Sequence, residues 1–198
     1  MNELILASAS PRRREMLANL GIPFRVMVSE ADESCSETNA EKFALAVSLK
    51  KAQAVQRLAP QGSVVVACDT VVAYGDRILG KPADRRQAEE MLRLLSGREH
   101  RVVSALAVTN GEKTVQKASV TYVSFRKIDE GALKAYLESG ECDDKAGAYG
   151  IQGLGGLFVS GIRGDWYTVV GMPLSDLYEI LKSDFSFDFF ALRDGEKV

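Results

Sequence analysis

The dipeptide Asn110-Gly111 sits between two long runs of strand-forming residues, about Glu99–Thr109 and Lys113–Arg126. No short signal for a β-hairpin is stronger, so the chain must build its fold around an antiparallel ribbon. The segments around that ribbon alternate between strand and helix patterns. ELILA (Glu3–Ala7) reads as a buried strand, and Ser10-Pro11 then offers an N-cap and a proline at the first helical position. RRREMLANL runs as a helix to a stop at Gly21. FRVMV reads as a strand, SEADESCSE as an acidic loop, and a long helix follows, opened by the capping box Thr38-x-x-Glu41 and closed near Pro60.

SVVVACD reads as a strongly apolar strand ending in Asp69, and VVAYGDRILGK as a strand, a Gly-Asp turn and a short returning strand. A helix from about Asp84 to Leu95 stops at Ser96-Gly97, and Asp129 caps another that runs to about Ser139. The glycine-rich KAGAYGIQGLGG comes next, then short strands around Leu157–Val159 and Trp166–Val170, and a helix after Pro173. The tail DFSFDFFALRDGEKV reads as a packed or dimer-contacting segment. This alternation with an added hairpin predicts an α/β fold: a mixed, twisted β-sheet with flanking helices. No linker or repeat divides the chain, so residues 1–198 form one domain, with room for two lobes.

Several function classes are excluded by composition. A net charge of −2 argues against a protein that lives on a nucleic acid polymer, where a broad basic face is needed. Cys35, Cys68 and Cys142 lie far apart and are odd in number, so neither a disulfide framework nor a thiolate metal site is expected, and a reducing, cytoplasmic setting fits. The opening MNELILASAS reads as a strand and not as a leader, and no stretch is long enough to span a membrane. The single histidine, His100, excludes a His-His metal motif and is expected at a surface or strand end. Carboxylates and lysines are left to carry any chemistry.

GDRILGKP (Gly75–Pro82) matches the phosphate-loop pattern G-x-x-x-x-G-K-[ST] up to its last letter. Pro82 has neither the hydroxyl for a metal ion nor the N–H that a following helix would use, so the segment is no phosphate loop. Lys81 survives as a single charge near a strand end. Polar residues at the ends of apolar elements are Ser8, Ser10, Arg12 and Arg13, then Asp32 and Glu33, Lys51, Asp69 and Thr70, Lys81, Lys145 and Gln152. Cations alone suit an anion and carboxylates alone suit a metal; the mixture suits a polyphosphate bound with Mg²⁺, hence a nucleoside triphosphate. Each has a plain alternative: consecutive arginines cannot all face one ligand, Lys50 and Lys51 read equally as solvent face, and Asp32 and Glu33 as solubilising charge. Asp69 follows Val64–Cys68, and a carboxylate beside so apolar a strand needs a partner or a purpose.

LILASASPRRREML, SEADES, SLKKA, ACDT, GKP, LSG, DKAGAYGIQG and VVGMPL occur in that order from residue 4 to about residue 182. The series resembles the Maf family of nucleoside triphosphate pyrophosphatases. Within the family, SPR near the start, Thr70 after Asp69 and Gln152 in GIQG resemble the branch acting on dTTP and UTP; the 7-methyl-GTP branch has Trp, Gln and Glu at the matching places.

The resemblance implies an elongated α/β fold with a cleft between two lobes, related to the inosine-triphosphate pyrophosphatases. It also implies hydrolysis of the bond between the α- and β-phosphoryl groups with a divalent cation, Mg²⁺ or Mn²⁺. Asp69 maps to the family's proton acceptor, with Glu33, and beyond it Asp32, as further metal-side carboxylates. Ser8, Ser10, Arg13, Lys51 and Lys81 would hold the triphosphate, and Lys145 would serve the base pocket or a phosphate. Arg12, Thr70 and Gln152 match the family's specificity positions. An amide can give one hydrogen bond and take one, which matches the O4 and N3–H of uracil or thymine. The family often has Glu before the helix lysine, whereas here Lys50 precedes Lys51. Alternative roles are cleanup of modified uridine triphosphates and a non-enzymatic nucleotide-binding regulator of septum formation. The partner is a small-molecule triphosphate, with no membrane, and a homodimer is compatible with the sequence.

Overall fold

The computed structural model describes residues 3–190. Its frame is one seven-stranded sheet: β1 (Leu4–Leu6), β2 (Arg25–Val26), β3 (Val64–Tyr74), β4 (Arg77–Leu79), β5 (Glu99–Thr109), β6 (Thr114–Phe125) and β7 (Val159–Arg163). The order is β2-β1-β3-β5-β6-β7, with β4 added on β3. β1 pairs parallel with β2 and β3, and the remaining pairs are antiparallel. The ribbon expected at Asn110-Gly111 is β5–β6, paired from Glu99↔Ser124 to Thr109↔Thr114. Its turn is closed by Asn110, whose Oδ1 accepts from the N–H of Lys113 at 2.8 Å while Gly111 takes φ 92°.

Strand periodicity decides what packs on each face. From β3, Val65 and Ala67 pack on Ala52 and Val55, and Val71 and Ala73 on Ala40 and Ala44, all from α2 (Ala40–Gln56). The intervening Val64, Val66, Cys68 and Val72 enter the main core on the other face. That core is completed by α1 (Pro11–Asn19), α3 (Arg85–Leu95), α4 (Glu130–Ser139) and α6 (Leu174–Phe185). A short helix, α5 (Trp166–Val170), and two 3-10 turns, Ala146–Ala148 and Leu154–Phe158, fill the end of the layer. Among the described residues no helix is long and apolar enough to cross a membrane.

Some expected boundaries are corrected. β3 does not end at Asp69 but runs on to Tyr74, because Val71 and Ala73 continue the same buried alternation. Trp166–Val170 is a helix and not a strand: Asp165 caps it, accepting from the N–H of Thr168 at 2.6 Å. The neighbouring strand lies at Val159–Arg163 rather than Leu157–Val159. FRVMV forms a strand only at Arg25 and Val26, with the Met27 N–H adding a bond to Leu6 O at 3.1 Å. The long helix is capped by Asn39, whose Oδ1 accepts from Lys42 N–H at 2.9 Å, and Glu41 turns to Arg101 at 2.9 Å instead of closing a capping box.

His100 is not a surface residue; it is 2% exposed, with its Nε2 2.8 Å from the Tyr149 hydroxyl and its ring edge-on to Phe125. Burial pulls its pKa down to about 4, so the imidazole is neutral. In the tail, Phe185, Phe187 and Phe189 are buried against the core, and residues 191–198 lie outside the described ones.

Candidate functional site

One edge of β3 is occupied by β5 continuously from Val65 to Ala73. On the other edge β1 pairs only as far as Leu6↔Val66, and β4 begins only at Leu79↔Val72. Between them β3 has no strand partner, and Asp69 and Thr70 lie in that gap. A cavity of about 770 Å³ opens there, lined by β1 and the loop after it, the middle of β3, Lys51 of α2 and the glycine-rich loop. Successive strand residues point to opposite faces, so an interrupted edge is what lets one cavity reach both Asp69 and Thr70.

On the α2 face, Lys51 Nζ donates to Asp69 Oδ1 at 2.8 Å and lies 3.1 Å from Glu33 Oε2. The side chains of Lys51 and Asp69 are 12% and 11% exposed, and Glu33 is mostly open to solvent. Lys51 is therefore the member of the lysine pair that faces the cavity. Lys50 turns away and donates to Ser34 O at 2.6 Å. Burial around Asp69 is bearable because the ammonium satisfies it, as an unpaired carboxylate there would not be.

On the opposite face Arg13 is held at three points: Nε donates to Gly171 O at 2.9 Å, Nη2 to Thr70 Oγ1 at 3.0 Å and Nη1 to Ser8 Oγ at 3.4 Å. Ser104 Oγ gives its proton to Thr168 O at 2.7 Å, so in the 2.8 Å contact with Thr70 the threonine is the donor. Gly171 O, 3.2 Å from Thr70 Oγ1, is a second acceptor in reach, and the shorter contact links Arg13 through Thr70 and Ser104 to the backbone of α5. Cys68 adds a further donor to Gly171 O at 3.1 Å, and burial raises its thiol pKa, keeping it protonated. Ser104 gave no sequence signal, because a serine inside an apolar run looks like ordinary strand composition.

Ser10 is the N-cap of α1, with Pro11 at the first turn, but its hydroxyl makes no cap bond; its own N–H donates to Ser8 Oγ at 3.2 Å. Ser10, Pro11 and Arg12 of this helix start line the cavity, and an uncapped helix N-terminus beside an arginine suits an anion. Arg12 is loosely paired with Asp144 at 3.8 Å.

The far wall carries Lys81, Lys145 and Gln152. Lys81 and Gln152 are exposed at the rim. Lys145 is mostly buried and donates to Glu141 O at 2.8 Å and Asp144 Oδ1 at 2.6 Å. That bond holds the Asp144 carboxyl below its ordinary pKa. Gly147 has φ 68°, and a Cβ there would meet Val72 at 2.8 Å, so only glycine lets this turn lie against the strand.

Of the expected site residues, Asp32 alone falls outside the cavity: it folds back on its own loop, accepting from Ser34 N–H at 2.9 Å. The Ser34 hydroxyl, which donates to the other carboxylate oxygen, and this N–H together lower its carboxyl pKa, but at an exposed position. Among the described residues no cluster of three or more His, Cys, Asp and Glu side chains could enclose a metal ion. Glu33 and Asp69, which converge on one ammonium, are the carboxylate pair that could hold one from the protein side. Such a two-carboxylate set suits Mg²⁺, which keeps waters and phosphate oxygens in its shell rather than taking an all-protein cage.

The comparisons with known proteins fall on this same frame. A family model described as Maf-like protein matches residues 3–184. A dTTP/UTP pyrophosphatase of Thermococcus gammatolerans is 45% identical over 182 residues, covering 92% of this chain and 97% of that protein. A dTTP/UTP pyrophosphatase of Bacillus anthracis is 44% identical over 183 residues, covering 92% of this chain and 95% of its own. Among solved structures, a HAM1 protein from Coxiella burnetii shares the fold with a TM-score of 0.52 at 16% identity, covering 92% of this chain and 99% of that one. With the family model spanning nearly the whole described fold and relatives of 44–45% identity matching over 92% of its length, the chain belongs to the Maf family.

Proposed function

We propose that this chain is a nucleoside triphosphate pyrophosphatase that hydrolyses dTTP and UTP to the monophosphate and pyrophosphate. The observation that carries the reading is the Lys51–Asp69–Glu33 cluster in the gap of β3, facing a cavity lined also by Arg12, Lys81 and Lys145. The names of its relatives at about 45% identity agree with it. The working unit is the whole domain, with the cleft between its two lobes.

Asp69 is placed to take a proton from the attacking water as the anhydride between the α- and β-phosphoryl groups opens. For that it must give up the ammonium it holds in the free protein, and an incoming triphosphate offers Lys51 a stronger, multiply charged acceptor. Lys51 and Lys81 then carry charge building on the leaving pyrophosphate, and the first turn of α1 with Ser8 and Ser10 holds phosphoryl oxygens. Arg13, anchored by Gly171 and Thr70, supplies fixed positive charge without having to be ordered at the moment of reaction. Glu33 and Asp69 would hold a divalent cation, which would supply electrophilic activation. Lys145 and Gln152 form the wall for the base, and the Gln152 amide pairs with the O4 and N3–H of a pyrimidine imide.

The test is release of pyrophosphate by wild type and Asp69→Asn from dTTP, UTP, CTP, GTP and 7-methyl-GTP, with Mg²⁺ or Mn²⁺. Pyrophosphate from dTTP and UTP, lost in the variant, is the expected result. Orthophosphate as product would refute the bond assignment, and preference for 7-methyl-GTP would refute the base assignment.

A further inference from the structure

Glu141 stands immediately after the left-handed Gly140 that ends α4, and no motif reading drew attention to it. Its carboxylate nonetheless holds the segment on both sides of Gln152. Oε2 accepts from the N–H of Leu154 at 2.8 Å, and Oε1 from the N–H of Gly155 at 3.0 Å. Oε1 also accepts from the Tyr136 hydroxyl at 3.2 Å, and that hydroxyl in turn accepts from the N–H of Gly150 at 3.3 Å. Gly150 precedes Gln152, and Leu154 and Gly155 follow it, so one carboxylate pins both ends of the short arc that carries the amide.

The glycines of the arc are explained by this anchor. A Cβ on Gly153 would lie 2.3 Å from Glu141 Oε2, and one on Gly155 would lie 2.8 Å from the Tyr136 hydroxyl oxygen. The backbone can close around the carboxylate only where side chains are missing. Burial raises the pKa of Tyr136 above the ordinary phenol range, so its hydroxyl keeps the proton it donates. Gln152 itself is exposed at the cavity wall, where its position follows from the backbone beneath it.

We propose that Glu141 is a positioning residue for base selection: it acts through Gln152 and sets where the amide stands for a pyrimidine, without touching the phosphate chemistry at Asp69. The proposal rests on the reading of Gln152 as the base-facing group. Glu141→Gln keeps the size of the side chain but turns an N–H toward one of the two backbone N–H groups, so one anchor of the arc is lost.

The experiment compares kcat and KM for UTP, dTTP and GTP in wild type, Glu141→Gln, Gln152→Ala and the double variant. The expected result is a loss of pyrimidine-over-purine selectivity of about tenfold in Glu141→Gln, through KM more than kcat. The double variant should be no less selective than Gln152→Ala alone, because a residue that acts through Gln152 has nothing left to act on. Independent, multiplying losses would overturn the proposal, as would unchanged selectivity in Glu141→Gln. If Glu141→Gln does not fold, Tyr136→Phe, which removes the hydroxyl's bonds to Glu141 and Gly150 and leaves the carboxylate its bonds to Leu154 and Gly155, should lose part of the selectivity, and full retention there would also overturn it. A wild type without pyrimidine preference refutes the base reading and the proposal together, whereas preference retained in the variants refutes the proposal alone.

Discussion

Replacing Lys51 by Met removes an ammonium and leaves its aliphatic stem in place. In the structure that ammonium is 2.8 Å from Asp69 and 3.1 Å from Glu33. Its loss leaves two carboxylates facing each other without a counter-charge. Breaking a fully buried pair costs about 3–5 kcal/mol, and an exposed pair is worth about 0–1 kcal/mol. Here Asp69 is 11% exposed but borders an open cavity, so water can partly replace the lysine; a destabilisation of about 2 kcal/mol is expected.

For a chain of 198 residues this corresponds to a fall in Tm of about 4–8 °C. Divalent cations supply the test of cause, because Mn²⁺ can stand where the ammonium stood. Thermal melts of Lys51→Met without nucleotide should therefore rise with Mn²⁺ by several degrees more than those of wild type. Asp69→Asn is the counterpart: Lys51 keeps Glu33 as partner, so stability should move by less than about 1 kcal/mol while turnover falls about 10²–10⁴-fold. A Lys51→Met protein that melts like wild type and responds to Mn²⁺ no differently would refute the idea that this ammonium holds the place of a cation.

Other consequences concern parts of the fold farther from that lysine. The unfolded chain takes up a proton on His100 near pH 6.5 and the folded one only near 4, so stability present above pH 6.5 drains away as pH falls between those values. The loss from this group approaches about 3 kcal/mol, and urea titrations across that window should show it reduced in His100→Gln. Gly147→Ala, which combines φ 68° with a Cβ 2.8 Å from Val72, should lower stability by about 2 kcal/mol, read from the urea midpoint at constant slope. Gln152→Glu should lower turnover of dTTP and UTP about tenfold or more relative to GTP, since a carboxylate cannot donate to O4. Equal loss on all substrates would remove Gln152 from the base pocket.

Much of this could be read from the chain because local signals and tertiary context agree. The Asn110-Gly111 hairpin, the helix start near Asp84, the Asp129 cap and the Pro173 start all stand where the pattern puts them. The failures have a common cause. Trp166–Val170 is aromatic and β-branched, yet Asp165 and the contact with Ser104 make it a single helical turn. His100 looks solvent-facing by composition, but its place opposite Val123 in the ribbon buries it under Tyr149. Lys50 and Lys51 are indistinguishable as letters, and the phase of α2 against β3 decides between them. Glu141 was invisible for a related reason: its partners are backbone N–H groups and a tyrosine hydroxyl, and backbone donors leave no mark on a sequence.

The position of Asp69 in mid-strand is itself an argument about how the site works. A carboxylate at a strand end can relax with its loop, whereas this one is fixed from behind, its strand paired through Asp69↔Ala105 to β5. The same pairing fixes Thr70 opposite Ser104 on the other face. The distance between the Asp69 carboxylate and the Arg13 anchor is therefore set by one rigid strand and does not depend on the loops that bring Glu33 and Gln152. Those two approach from irregular segments, one acidic and one glycine-rich, and on the proposed reading these are the parts that adjust to a cation and a base. It follows that substitutions in the loops should shift selectivity and metal response, while substitutions that disturb β3 or β5 near Asp69 should lower turnover on every triphosphate alike. Ser104→Val separates the two cases, since it removes the nearer of the two acceptors for Thr70, leaving Gly171 O, and touches neither loop: kcat should fall by a similar factor for UTP, dTTP and GTP, and a loss confined to one base would show that the strand, too, reads the base.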